Sequence, residues 1–189
     1  MHQEMNKMIP EPKNETPLLK TSPTWRTARL AIFTALSAVG SLLKIPSPIG
    51  SLAFDSAPGF FAALLFGPLE GSLVCGLGHM ATAAVSGFPL GLLHLPIALG
   101  MALAGACIGL VNKIKTWRFL QRWTLLPALF IGVFINTVLV FPLVPWLAAD
   151  INVGWAIALS YAPFLLAAAT LNAVVTGLVY VGVRGKLKL

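Results

Sequence analysis

Long apolar runs alternate with short polar breaks along this chain. The runs cover about 28–43, 54–66, 69–85, 92–111, 125–141 and 153–183. A helix rises about 1.5 Å per residue, so a hydrocarbon layer of roughly 30 Å takes about 20 residues. The pattern therefore predicts six transmembrane helices. The second and third are short, and they can also be read as one re-entrant hairpin. Helix-stopping residues mark the breaks: Pro46, Pro48 and Gly50, then Gly67-Pro68, then Gly87 and Pro89, then Pro142 and Pro145. Residues 1–24 are polar and proline-containing, and they read as a tail. They lack the short apolar core and small-residue cleavage site of a signal peptide. The predicted division is a polar cytoplasmic tail over 1–25 and one six-helix membrane domain over 26–189.

Composition strengthens the membrane assignment. Of 189 residues, 57% are hydrophobic and 10% are charged, and the mean hydropathy is +0.85. Soluble domains carry about 25% charged residues. The expected fold class is an all-α integral membrane bundle. The net charge of +7 does not point to nucleic acid, because the cations are segregated. They sit in the tail with Arg26 and Arg29, in the loop with Lys113, Lys115, Arg118 and Arg122, and at the end with Arg184, Lys186 and Lys188. Breaks near 45–53, 87–91 and 142–152 carry only Lys44 at their margin. The positive-inside rule then puts both termini and the 112–122 loop in the cytoplasm. Four spans and then two separate the basic regions.

Polar residues inside the runs are the candidate chemistry, because a charge at the bilayer centre costs about 3 kcal/mol on insertion scales. Asp55 falls at the outer end of the second run, His79 near the middle of the third and His94 near the outer end of the fourth. Asn136 falls at or just above mid-membrane, and Tyr161 about two turns below the outer end of the sixth run. Together with Phe88 and Trp146, and with Phe54 and Trp155, they outline a pocket open to the outside. Each has a structural reading as well. Asp55 suits a helix cap, His79 an interior hydrogen bond, His94 and Trp146 the interface, and Asn136 helix-to-helix adhesion. The third run is so rich in Gly and Ala that something must fill the space opposite, which favours a functional His79. Glu70 reads as turn structure or a partner contact. Asn172 lies deeper, toward the cytoplasm, and reads as packing. Cys75 and Cys107 read as buried free thiols.

Several chemistries lack their motifs. There is no GxxxxGK[ST], HExxH or GxSxG. No metal-ligand spacing, cofactor motif or internal repeat is found.

Ala31, Ala35 and Ala38, with Thr34, form a small-residue face on the first helix. With six helices, about 190 residues and a Gly/Ala-rich core, the chain over 26–185 resembles the substrate-binding S components of energy-coupling factor (ECF) vitamin transporters. The resemblance implies that 26–189 is a substrate-binding domain in a bacterial cell membrane, multi-pass and not an enzyme. It implies that Ala31, Ala35 and Ala38 dock on a transmembrane coupling subunit that works with two ATPases. The segment around 47–91 looks most like the S component for α-ribazole, a precursor of the lower ligand of cobalamin. Pantothenate, folate and whole-cobalamin S components are neighbouring groups. On this reading 45–53, 87–91 and 142–152 form a lid. Asp55, His79, Asn136 and Tyr161 contact the ligand beside His94, and Phe88 or Trp146 stacks on it. Two other classes stay open: a membrane enzyme using His79 and Asp55 as acid and base, and a scaffold with no ligand.

Overall fold

The computed structural model describes residues 22–47, 50–113, 124–139, 145, 150–184 and 186. The tail over 1–21, most of the basic loop and most of 140–149 lie outside the described residues, and Trp146 with them. Among the described residues the chain forms six α-helices and one short hairpin.

The first helix, α1 (Pro23–Gly40), starts with proline in its first turn, where the missing N–H has no helical partner to lose. It begins five residues before the apolar run, so Arg29 lies well inside the helix. Gly40 ends it. The Gly40 carbonyl accepts the N–H of Leu43 at 3.1 Å and of Phe54 at 3.2 Å. A Cβ on Gly40 would sit 2.2 Å from the Phe54 carbonyl oxygen, so only glycine lets the chain return this closely. Between those points, where the prolines predict a plain loop, β1 (Lys44–Ser47) pairs antiparallel with β2 (Gly50–Ala53). Lys44 faces Ala53 and Pro46 faces Ser51 in the register. A two-stranded ribbon has free edges, so Pro46 costs it no required ladder bond.

The next helices are α2 (Ala57–Phe66) and α3 (Pro68–Val85), both with proline in the first turn. Gly67, at φ 99°, makes the reversal between them. A 3₁₀ turn over Gly91–Leu93 leads into α4 (His94–Lys113). Helix α5 (Leu125–Phe134) widens into a π turn over Ile135–Leu139. Helix α6 (Ile151–Arg184) carries Pro163 inside it. All six helices overlap the six predicted runs.

At ten residues, α2 is short, and it sits at the centre of the packing. Phe60, Ala62 and Ala63 are fully buried there. Its neighbours approach through small residues. A Cβ on Gly71 of α3 would lie 2.3 Å from the Ala63 Cβ, and one on Gly105 of α4 would lie 2.4 Å from the Gly71 carbonyl oxygen. This corrects one expectation. The Gly/Ala content of α3 leaves no space waiting to be filled; neighbouring helices fill it. Cys75 is a buried free thiol and Cys107 a half-buried one.

The outside of the bundle is apolar. Leu92, Leu99, Phe130 and Leu178 are each at least 70% exposed, far beyond what a water-facing surface tolerates as one continuous girdle. Two segments, Gly91–Lys113 and Ile151–Arg184, are long and apolar enough to cross a bilayer.

Candidate functional site

Two clusters of buried polar groups lie at opposite ends of α3. Near its start, Glu70 receives the Arg29 guanidinium from α1 through two parallel bonds, Nε to Oε2 at 2.7 Å and Nη2 to Oε1 at 2.6 Å. Both side chains are less than a tenth exposed. Arg26 adds a longer contact to Oε1 at 3.4 Å, and the Arg29 guanidinium stacks 4.6 Å from the Phe66 ring centre. Glu70 also occupies the first turn of α3, where a negative charge suits the helix dipole. The Glu70 carboxylate is thus fully paired inside the protein.

At the other end, Asp55 sits at the foot of the hairpin, just before α2. Its carboxylate Oδ1 accepts the Ser56 hydroxyl at 3.2 Å. The Thr82 hydroxyl of α3 lies beside the same carboxylate but is buried without completing a hydrogen bond. No cationic side chain pairs with Asp55 among the described residues. The donors near the Asp55 carboxylate, the Ser56 and Thr82 hydroxyls and the backbone N–H groups of Asp55 and Ser56, are all neutral, so its charge has no opposite charge beside it among the described residues.

The backbone around Asp55 is fixed from α6. Asn172 Oδ1 accepts the N–H of Ser56 at 3.1 Å and of Ala57 at 2.8 Å. Its Nδ2 donates to the carbonyls of Ala53 and Ala168, each at 2.9 Å. The Thr176 hydroxyl reaches the Ala57 carbonyl at 3.1 Å and the Asn172 carbonyl at 2.8 Å. Asn172 therefore caps α2 from a different helix, supplying the acceptor that an N-terminal Ser or Asp usually provides. It is level with Asp55, not deeper. The clue in the sequence was the spacing of Asn172 and Thr176, four residues apart on one face of an apolar helix.

His79 and His94 meet across α3 and α4, with Nε2 of His79 3.1 Å from Nδ1 of His94. The Leu90 N–H donates to His94 Nε2 at 3.3 Å. A neutral His94 then carries its proton on Nδ1 and donates it to His79. That leaves His79 Nδ1–H as a donor with no partner among the described residues. Phe88 stands edge-on to His94, centroids 5.8 Å apart. Phe88 holds φ 50°, in the left-handed region, between Gly87 at 75° and Gly91 at 54°. The 86–93 turn is thus tied down by His94 while Phe88 stays 43% exposed.

The other expected residues are spread out. Asn136 is half-buried in the π turn and has no hydrogen-bond partner among the described residues; π turns often mark functional positions. Tyr161 is 40% exposed and precedes Asn172 by roughly 16 Å of helix, so it stands apart from Asp55. Ala31 and Ala35 are exposed, and Ala38 is half-buried, so the Ala31 and Ala35 part of the small-residue face of α1 stays open among the described residues. His79 pairs with His94 and Asp55 with Ser56, so no Asp55–His79 acid–base pair forms.

Comparisons with known proteins identify the family and the fold. The family of ECF transporter substrate-specific components matches residues 26–183. No curated protein matches the chain. A solved structure of the S component of a bacterial ECF transporter superposes with a TM-score of 0.60 at 21% identity. The alignment covers 89% of this chain and all of that one, and at that identity it speaks for the fold.

Proposed function

The chain belongs to the family of ECF transporter substrate-specific components, and on that premise we propose that it captures α-ribazole for cobalamin salvage. S components are membrane proteins that bind substrate for transport and are not enzymes. The proposed topology has six spans and cytoplasmic termini. The basic flanks support it. So does the apolar exterior. The Asp55 end then faces outward and the Arg29–Glu70 end faces the cytoplasm.

One observation carries the site assignment. Asp55 is a carboxylate with no cationic partner among the described residues, held beside a Thr82 hydroxyl that completes no hydrogen bond, at the foot of a hairpin. Ribose hydroxyls donate well to such a carboxylate, and a dimethylbenzimidazole ring suits Phe88 and His94. In this reading His79 offers its free Nδ1–H, Asn136 a second polar contact, and Tyr161 and Trp146 the outer rim. The hairpin and the 86–93 turn close over the ligand. Ala31, Ala35 and Ala38 dock on the coupling subunit, and two ATPases drive release into the cell.

Calorimetric titration of the purified protein with α-ribazole tests this, with pantothenate, folate and cobalamin as controls. One-to-one binding of α-ribazole alone is the expected result. Binding of a control instead reassigns the ligand and keeps the site. Bulky replacements at Ala31 and Ala35 are expected to abolish uptake in cells carrying the whole transporter and to leave binding intact. Unimpaired uptake in that double variant removes the docking assignment.

A further inference from the structure

We infer that Asn172 is the positioning residue of the binding site: from α6 it sets where the Asp55 carboxylate stands. The inference rests on the reading of Asp55 as a substrate contact. Its own basis is the hydrogen-bond set around Ser56. Asn172 is 1% exposed, and all of its side-chain capacity for two donated and two accepted bonds is used. Two N–H groups of Ser56 and Ala57 point at Oδ1, and the Ala53 carbonyl receives one Nδ2 proton. These three backbone groups bracket Asp55 on both sides. Only one amide orientation satisfies all of them, because a flipped amide would face N–H with NH₂ and carbonyl with carbonyl.

The bracket links two elements that differ in stability. On one side is the hairpin, a two-stranded ribbon of the marginal kind. On the other is α2, with Phe60, Ala62 and Ala63 fully buried in the core. Asp55 is the join between them, and α1 holds the same join through Gly40 and Phe54. Asn172 is the one described side chain that bonds both the hairpin end and the helix start. Thr176, one turn further along, reaches the Ala57 carbonyl and the Asn172 carbonyl of its own helix but not the hairpin.

The test uses the full chain in lipid nanodiscs, as wild type, Asn172→Ala, Asn172→Asp and Thr170→Val. Thr170 bonds only within its own helix and serves as control. In Asn172→Ala, amide exchange over residues 54–57 is expected to quicken about tenfold or more. The carboxyl carbon resonance of Asp55, identified by its loss in Asp55→Asn, is expected to move. Asn172→Asp keeps the acceptor to both N–H groups and loses the Ala53 bond, so it falls between. Thr170→Val matches wild type. With α-ribazole as probe, Asn172→Ala is expected to weaken binding about tenfold, and by less than about twofold when Asp55 is already alanine. An equal loss in both backgrounds overturns the inference, since Asn172 would then act independently of Asp55. Unchanged exchange and an unmoved resonance overturn it as well. If the wild type binds no α-ribazole, the ligand assignment fails, and exchange with the Asp55 resonance still decides this inference.

Discussion

The two ends of α3 hold buried polar groups in opposite states. At the Glu70 end, the one carboxylate is met by a two-pronged guanidinium, a second arginine and a helix N-terminus. At the Asp55 end, a carboxylate has only neutral donors near it, and the Thr82 hydroxyl beside it completes no hydrogen bond. Burying a polar group without a partner costs about 1–3 kcal/mol, and more for a charge. A fold that bears this at one end and avoids it at the other is what the proposed division into scaffold and site requires. The matched end holds helices together. In the proposed reading the unmatched end receives the ligand.

The largest expected effect tests the matched end. Glu70→Ala leaves Arg29 buried beside Phe66 without its anion, and removing one member of such a pair typically costs about 3–5 kcal/mol. Thermal unfolding of the purified protein should show the loss. Arg29→Met combined with Glu70→Leu should recover most of it, because two apolar side chains leave no stranded charge. An unchanged melting temperature in Glu70→Ala would break the contrast between the ends.

Asp55→Ala comes next, with the effect on a different axis. Bonds to a charged acceptor contribute about 1.5–3 kcal/mol each, so α-ribazole binding should weaken roughly ten- to hundredfold by titration. Stability should stay within about 1 kcal/mol of wild type, because no cation depends on Asp55. A fall in melting temperature as large as that of Glu70→Ala would show Asp55 to be scaffold after all. His94→Phe should be milder. It keeps a ring against Phe88 and loses both the Leu90 and the His79 bonds, and binding should weaken by about tenfold.

Much of this was legible along the chain. The six helices follow from apolar runs and from where prolines and glycines fall, and those are local signals. Asp55 and His79 stand out because charge and imidazole are rare in such runs. Contacts between distant segments were not legible. Arg29 and Glu70 are 41 positions apart, and their meeting depends on which faces of α1 and α3 adjoin. Arg29 read as a flank because the apolar run starts at 28, whereas the helix starts at Pro23. Asn172 read as deep because depth was counted along each helix separately. The short α2 starts level with it, and only the packing reveals that. The glycines of α3 misled for a related reason. A small residue signals close approach in general, without saying whether a helix or a ligand approaches.

The smallest expected effect is the sharpest test of the contrast. Thr82→Val replaces the unbonded hydroxyl with a methyl group of nearly the same size. In a scaffold role the change removes a buried, unsatisfied oxygen and nothing else, so stability should hold or rise by up to about 1 kcal/mol. In a site role the hydroxyl serves the bound state, and its loss should weaken α-ribazole binding by about three- to tenfold, the worth of one neutral hydrogen bond. The proposed site requires opposite signs, with stability equal or higher and affinity lower. Thr34 supplies the control, since its buried hydroxyl is also unbonded but lies on α1, outside the proposed contacts. Thr34→Val should share the stability effect and leave affinity unchanged. If both variants bind as tightly as wild type, the orphaned hydroxyl at Thr82 is a packing cost like the one at Thr34, and Asp55 stands without its nearest proposed companion.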